Sequence, residues 1–139
     1  METTAVASWH GAIDPCGGIT TKSTTLVNVP YSEHPDPHRH VTSPTELIAA
    51  AHAACFSATL AAELSRVGLL AQTITTTSVI THQRLSEAWV ISGVALDVVA
   101  AIPHATPGDF IGAAVKAKLQ CPVSRLLNAD ITMNARLET

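Results

Sequence analysis

Two of the three cysteines stand where a redox reaction could use them. Cys55 lies in Ser43-Pro44-Thr45-Glu46-Leu47-Ile48-Ala49-Ala50-Ala51-His52-Ala53-Ala54-Cys55-Phe56, a run that reads as a buried helix. Cys121 lies in Lys118-Leu119-Gln120-Cys121-Pro122-Val123-Ser124, where one helix should stop and another start. A thiol attacks as its thiolate, so a reactive Cys55 needs a positive charge or a donor beside it. No Lys or Arg falls within a helical turn of Cys55, so the fold would have to bring one. Two readings of Cys55 stand: a small apolar residue in a helix core, or a nucleophile. Cys121 directly precedes Pro122 and occupies the expected N-cap of a last short helix. Backbone N–H groups and the helix dipole favour a thiolate there; the alternative is a plain junction residue. The two cysteines are too far apart for a local CxxC motif, so the fold must set any pairing. Cys16, in the Gly-rich segment Asp14-Pro15-Cys16-Gly17-Gly18, reads as incidental.

Histidine is the other residue type that invites a chemical reading. His34, His38 and His40 form HxxxHxH in a loop, and His52 sits on the helix. That spacing matches no common zinc site, and a solvated loop is the favoured account over a metal centre. His52 precedes Cys55 by three residues, a spacing that would allow a Cys–His pair, but nothing in the sequence orients the imidazole.

The elements that must position these residues are clearly marked. Ser43, Pro44 and Glu46 make a capping box with proline at the first helical position. The helix then continues to Val67, about 24 residues or ~36 Å, with Gly68 at its left-handed end. It is apolar almost all round until Glu63, which predicts protein on most sides. Residues 5–29 predict a hairpin turning at Asp14–Gly18, and Pro30 to Thr42 a proline-stiffened loop. Strands are expected over 73–84 and 89–101, and a helix over 107–119 opened by Thr106-Pro107-Gly108-Asp109. A short helix from Pro122 and a last strand over 129–138 complete the order. Strands, helix, strands, helix, strand gives an α+β class with a mainly antiparallel sheet.

Composition bounds the function. The 139 residues suit a single domain, 1–139. They are 47% hydrophobic and only 14% charged, more apolar surface than a small monomer hides, so a subunit interface is expected. Net charge is −3, and the eight Lys and Arg form no stripe, which argues against nucleic acid. Residues 1–9 lack a basic n-region and an apolar h-region, so no secretory signal is expected. The Leu47–Ala62 window reads as too short and too alanine-rich to span a bilayer. A cytoplasmic protein follows, in which cysteines are bystanders, ligands or redox groups.

Residues 43–57, Ser-Pro-Thr-Glu-Leu-Ile-Ala-Ala-Ala-His-Ala-Ala-Cys-Phe-Ser, resemble the first-cysteine signature of the OsmC/Ohr family of hydroperoxide reductases. Residues 120–132, Gln-Cys-Pro-Val-Ser-Arg-Leu-Leu-Asn-Ala-Asp-Ile-Thr, resemble its second. Ala-His-Ala-Ala-Cys-Phe, Cys-Pro-Val-Ser and the early Trp9-His10-Gly11 are similar to the OsmC branch. The resemblance implies an intertwined homodimer, with sheets wrapped around long central helices and sites at the interface. It implies Cys55 as peroxidatic thiolate, Cys121 as resolving thiol, a Cys55–Cys121 disulfide, and a dithiol reductant such as a lipoylated protein. It implies no cofactor. It also implies an arginine that holds the thiolate, and Arg39 is the one arginine before the first helix. The chain departs from the family pattern at Thr45, where a glutamate usually follows the proline and orients that arginine; Glu46, one residue later, is the acidic candidate.

These implications lead to a thiol peroxidase for organic hydroperoxides, and more weakly for hydrogen peroxide, in stress defence. The alternative is a non-enzymatic redox-sensing or small-ligand-binding dimer with slow thiols, which Thr45 keeps open.

Overall fold

The computed structural model describes residues 1–11 and 16–138, in two compact units, Met1–Ile48 and Ala49–Thr139. The first unit carries strands β1 (Ala5–His10), β2 (Cys16–Thr21) and β3 (Val29–Tyr31) in one antiparallel sheet, with β2 in the middle. The expected turn is corrected here: Cys16, Gly17 and Gly18 belong to β2, while Asp14 and Pro15 lie outside the described residues. Gly17 pairs with Trp9 on one side and Tyr31 on the other, and the Trp9 and Tyr31 rings meet at 5.5 Å. A Cβ on Gly17 would lie 2.1 Å from the Ser8 carbonyl oxygen and 2.5 Å from the Tyr31 ring. The glycine marks a close approach within a strand rather than a turn.

Beyond β3 the expected loop is more ordered than its prolines suggest. Pro30 sits in a three-residue edge strand, the place in a sheet that tolerates a missing N–H. Asp36 and Val41 exchange backbone hydrogen bonds of 3.0 and 3.2 Å around residues 37–40. The Asp36 carboxylate also accepts from the His38 amide at 2.9 Å.

Helix α1 spans Pro44–Arg66. Ser43 starts it as expected: its Oγ accepts from the Glu46 amide at 3.1 Å. Gly68, at φ 78°, ends it in a Schellman motif, with Leu69 N–H donating to the Leu64 carbonyl and Gly68 N–H to that of Ser65. His52, Phe56, Leu60, Glu63 and Leu64 form its buried stripe, and buried Glu63 pairs with Arg66 at 2.5 Å. The opposite face exposes Ala50, Ala51, Ala54, Ala58, Ala61 and Ala62. Expectation and structure differ here: within one chain, α1 is covered along a stripe and not on most sides. By length and composition alone α1 is also long and apolar enough to cross a membrane, against the sequence reading. Its His52 and Glu63 would be costly at bilayer depth, whereas here His52 bonds buried Ser124 and Glu63 bonds Arg66.

The second unit builds the apolar core. Strands β4 (Thr73–Leu85) and β5 (Ala88–Ala101) form an antiparallel hairpin, and β6 (Asp130–Leu137) pairs with β5 in parallel. The parallel pair follows from the chain path: helices α2 (Pro107–Gln120) and α3 (Pro122–Leu126) make the crossover that such a pair requires. Alternate residues Val94, Leu96, Val98 and Ala100 of β5 are buried, as are Phe110, Ala113, Ala114 and Ala117 of α2 at helical spacing. They close on Phe56, Leu60 and Leu64 of α1 and on Cys121. Helices with two mainly antiparallel sheets make the class α+β, as the sequence predicts.

Candidate active site

Proline sets the second cysteine. The residue before proline avoids helical backbone, so α2 stops at Cys121 and Pro122 opens α3. Cys121 is a double cap: its amide donates to the Ala117 carbonyl at 2.8 Å and its carbonyl accepts from the Arg125 amide at 3.0 Å. Its side chain is fully buried and makes no cap hydrogen bond.

On α1, Cys55 is half-buried beside fully buried Phe56. Both cysteines are free thiols, and Cys55 packs against the core that holds Cys121, near enough for the second thiol to influence its ionisation. Burial is the largest influence on Cys55 and pushes its pKa up from the ordinary 9.0. The Val123 backbone amide pulls it down. The neighbouring Cys121 thiol and the repulsion of a second thiolate push it up, and the Thr59 hydroxyl pulls it down. Sequence reasoning gave the α3 N-terminus to Cys121; the backbone amide of Val123 in that turn instead favours the Cys55 thiolate.

Three neighbours were missed in the sequence. Thr59 had a signal, four residues past Cys55, where a hydroxyl can reach back to the helix: its Oγ1 donates to the Cys55 carbonyl at 2.8 Å. Val123 had none, because the group it offers is a backbone amide. Ser124 was visible only as part of Cys-Pro-Val-Ser; its Oγ lies 2.7 Å from His52 Nε2. That bond gives His52 a partner other than Cys55, and burial pushes the imidazole pKa below 6.5.

Arg39 and Glu46 belong to the first unit, and the two cysteines to the second. Arg39 is exposed on the 37–40 turn. The Glu46 carboxylate accepts from Thr42 Oγ1 at 2.7 Å, at the start of α1. Among the described residues, no three His, Cys, Asp or Glu gather closely enough to hold a metal ion, and His34, His38 and His40 are exposed.

The family model of OsmC-like proteins matches residues 37–136. The sequence is similar to peroxiredoxin OsmC of Escherichia coli K12, with 36% identity over 135 residues, 96% of this chain and 94% of that protein. The fold is similar to an OsmC-like protein from Mycoplasma pneumoniae, at TM-score 0.84 and 12% identity, covering 100% of this chain and 99% of that one. It is similar also to the organic hydroperoxide resistance protein OhrB of Bacillus subtilis, at TM-score 0.72 and 21% identity, covering 96% and 98%. At those two identities the likeness speaks for the fold alone.

Proposed function

The chain belongs to the OsmC-like protein family, and from that premise we propose that it is a thiol-dependent peroxidase reducing organic hydroperoxides, and hydrogen peroxide more weakly. The observation that carries this reading is the proximity of the free thiols of Cys55 and Cys121, near enough for one to influence the ionisation of the other. In the proposed cycle the Cys55 thiolate attacks the terminal oxygen of ROOH. The O–O bond breaks, the alkoxide takes a proton and leaves as alcohol, and Cys55 becomes a sulfenic acid. The Cys121 sulfur then attacks the Cys55 sulfur, water leaves, and a disulfide forms. A dithiol, proposed to be carried on a lipoylated protein, reduces that disulfide and becomes one itself. The apolar residues around Cys55 suit an alkyl R group better than a small polar peroxide.

A half-buried thiol whose pKa is pushed up needs help to ionise. The proposal assigns that help to Arg39, with Glu46 as the partner that orients it. The whole chain is proposed to act as one functional domain, in a cytoplasmic homodimer. The exposed alanine face of α1 and exposed Ile111, Val115, Leu119 and Leu126 support the dimer, because a second copy would cover apolar surface that one chain leaves to water.

The test is cumene hydroperoxide consumption with dithiothreitol or dihydrolipoamide, for the wild type, Cys55→Ser and Cys121→Ser. Many turnovers in the wild type, lost in Cys55→Ser and no longer passing through a disulfide in Cys121→Ser, are expected. The second reading, a redox-sensing or ligand-binding dimer, is favoured by the upward push on the Cys55 pKa. It predicts about one equivalent consumed per site.

A further inference from the structure

His52 is fully buried, yet only one of its ring nitrogens has a partner. Nε2 meets Ser124 Oγ at 2.7 Å, and Nδ1 is buried without one. An apolar side chain would fill the space without that unsatisfied nitrogen. What the imidazole adds is direction, since apolar packing tolerates sliding and a hydrogen bond does not.

The placement of that bond is informative. On α1, His52 and Cys55 are three apart and so share a side of the helix. Cys121 and Ser124 are also three apart, at the cap and in the first turn of α3. The two pairs meet as two rungs, His52 to Ser124 and Cys55 to Cys121. Val123, whose backbone amide favours the Cys55 thiolate, lies between Cys121 and Ser124 in the chain. The Cys55–Cys121 rung changes its bonding in every proposed cycle, whereas His52–Ser124 has no redox chemistry to undergo.

We infer that His52 and Ser124 are positioning residues for disulfide formation: their hydrogen bond holds α3 in register on α1, so that Cys121 and the Val123 amide stay beside Cys55. This rests on the peroxidase reading for its purpose, but its test uses no hydroperoxide. The full-length protein, in a Cys16→Ser background, is equilibrated with mixtures of oxidised and reduced dithiothreitol. Two protein thiols lose two electrons and two protons to the reagent's disulfide, which becomes the dithiol. The fraction of Cys55–Cys121 disulfide gives the equilibrium constant. A second readout is the pH midpoint of Cys55 alkylation with Cys121 replaced by Ser.

Ser124→Ala and His52→Leu are expected to lower the disulfide equilibrium constant roughly tenfold, the scale of one lost buried hydrogen bond. In Ser124→Ala the alkylation midpoint should move up, because the Val123 amide is no longer held beside Cys55. Ser124→Thr, which keeps the hydroxyl, should restore both values. Wild-type constants and midpoints in Ser124→Ala would overturn the inference. So would a loss in Ser124→Thr as large as in Ser124→Ala, which would assign the effect to packing. Ser124→Ala removes a single oxygen, so the test survives a His52→Leu chain that does not fold. A wild type that forms the disulfide with dithiothreitol but does not turn over hydroperoxide would reject the peroxidase reading and leave this one standing.

Discussion

The backbone amide of Val123 lowers the pKa of Cys55, so the first turn of α3 serves a thiol on another helix. That amide and the Thr59 hydroxyl favour the thiolate, while burial and the neighbouring Cys121 oppose it, and burial is the largest influence. The reactivity of Cys55 is therefore set by groups that can be removed one at a time.

Removing Cys121 takes away its whole upward push on the Cys55 pKa. Cys121→Ala should lower the pH at which Cys55 becomes half-ionised, and Thr59→Val should raise it. Iodoacetamide rates across pH, with Cys16 replaced, read both shifts directly. A midpoint that rises in Cys121→Ala would show that the second thiol assists ionisation.

Stability should fall on both sides of neutrality. His52 has a pKa pushed below 6.5, so the unfolded chain binds its proton first, and stability is lost as pH falls below 6.5. Cys55 has a pKa pushed above 9.0, so the folded chain keeps its proton longer, and stability is lost as pH rises past 9.0. Thermal melting across pH should show a flatter acid limb in His52→Gln and a flatter alkaline limb in Cys55→Ala. An unchanged acid limb in His52→Gln would mean that other groups govern it.

Phe56 is fully buried next to Cys55 and joins α1 to the core. Phe56→Ala should cost about 3–5 kcal/mol in urea unfolding. A loss below about 1 kcal/mol would mean that the site collapses around the missing ring.

Gly17→Ala places a carbon 2.1 Å from the Ser8 carbonyl oxygen, which belongs to the backbone and cannot swing aside. A cost of about 1–3 kcal/mol is expected, as for overpacking elsewhere, with a change in Trp9 fluorescence as β1 shifts. Wild-type stability and emission would show that β1 moves freely from β2.

Local chemistry made most of the fold legible. Ser43, Gly68, Thr106 and Pro122 all sit at the helix ends where their side chains or fixed φ angles belong, because capping depends on a few adjacent residues. The first sheet was less legible: Gly17 and Gly18 read as a turn because the groups that exclude a Cβ, Ser8 and Tyr31 at Gly17 and Asn28 at Gly18, come from other parts of the chain. The same limit applies at the site. Cys55 and Cys121 stood out by residue type and context, but Val123 acts through its backbone, and His52 finds Ser124 72 positions away. The exposed alanine face of α1 shows the converse, a residue type that reads as core and meets solvent in a single chain.

Of the three thiols, Cys121 alone is sealed from solvent in this chain, while Cys16 and Cys55 are partly open. A thiol-specific dye should thus label the native protein with Cys121 last, its sulfur waiting for the α2–α3 junction to open. The slow phase is a built-in clock for that local opening. It reports the free energy of one helix junction as amide exchange would, at a single atom and with a spectrophotometer.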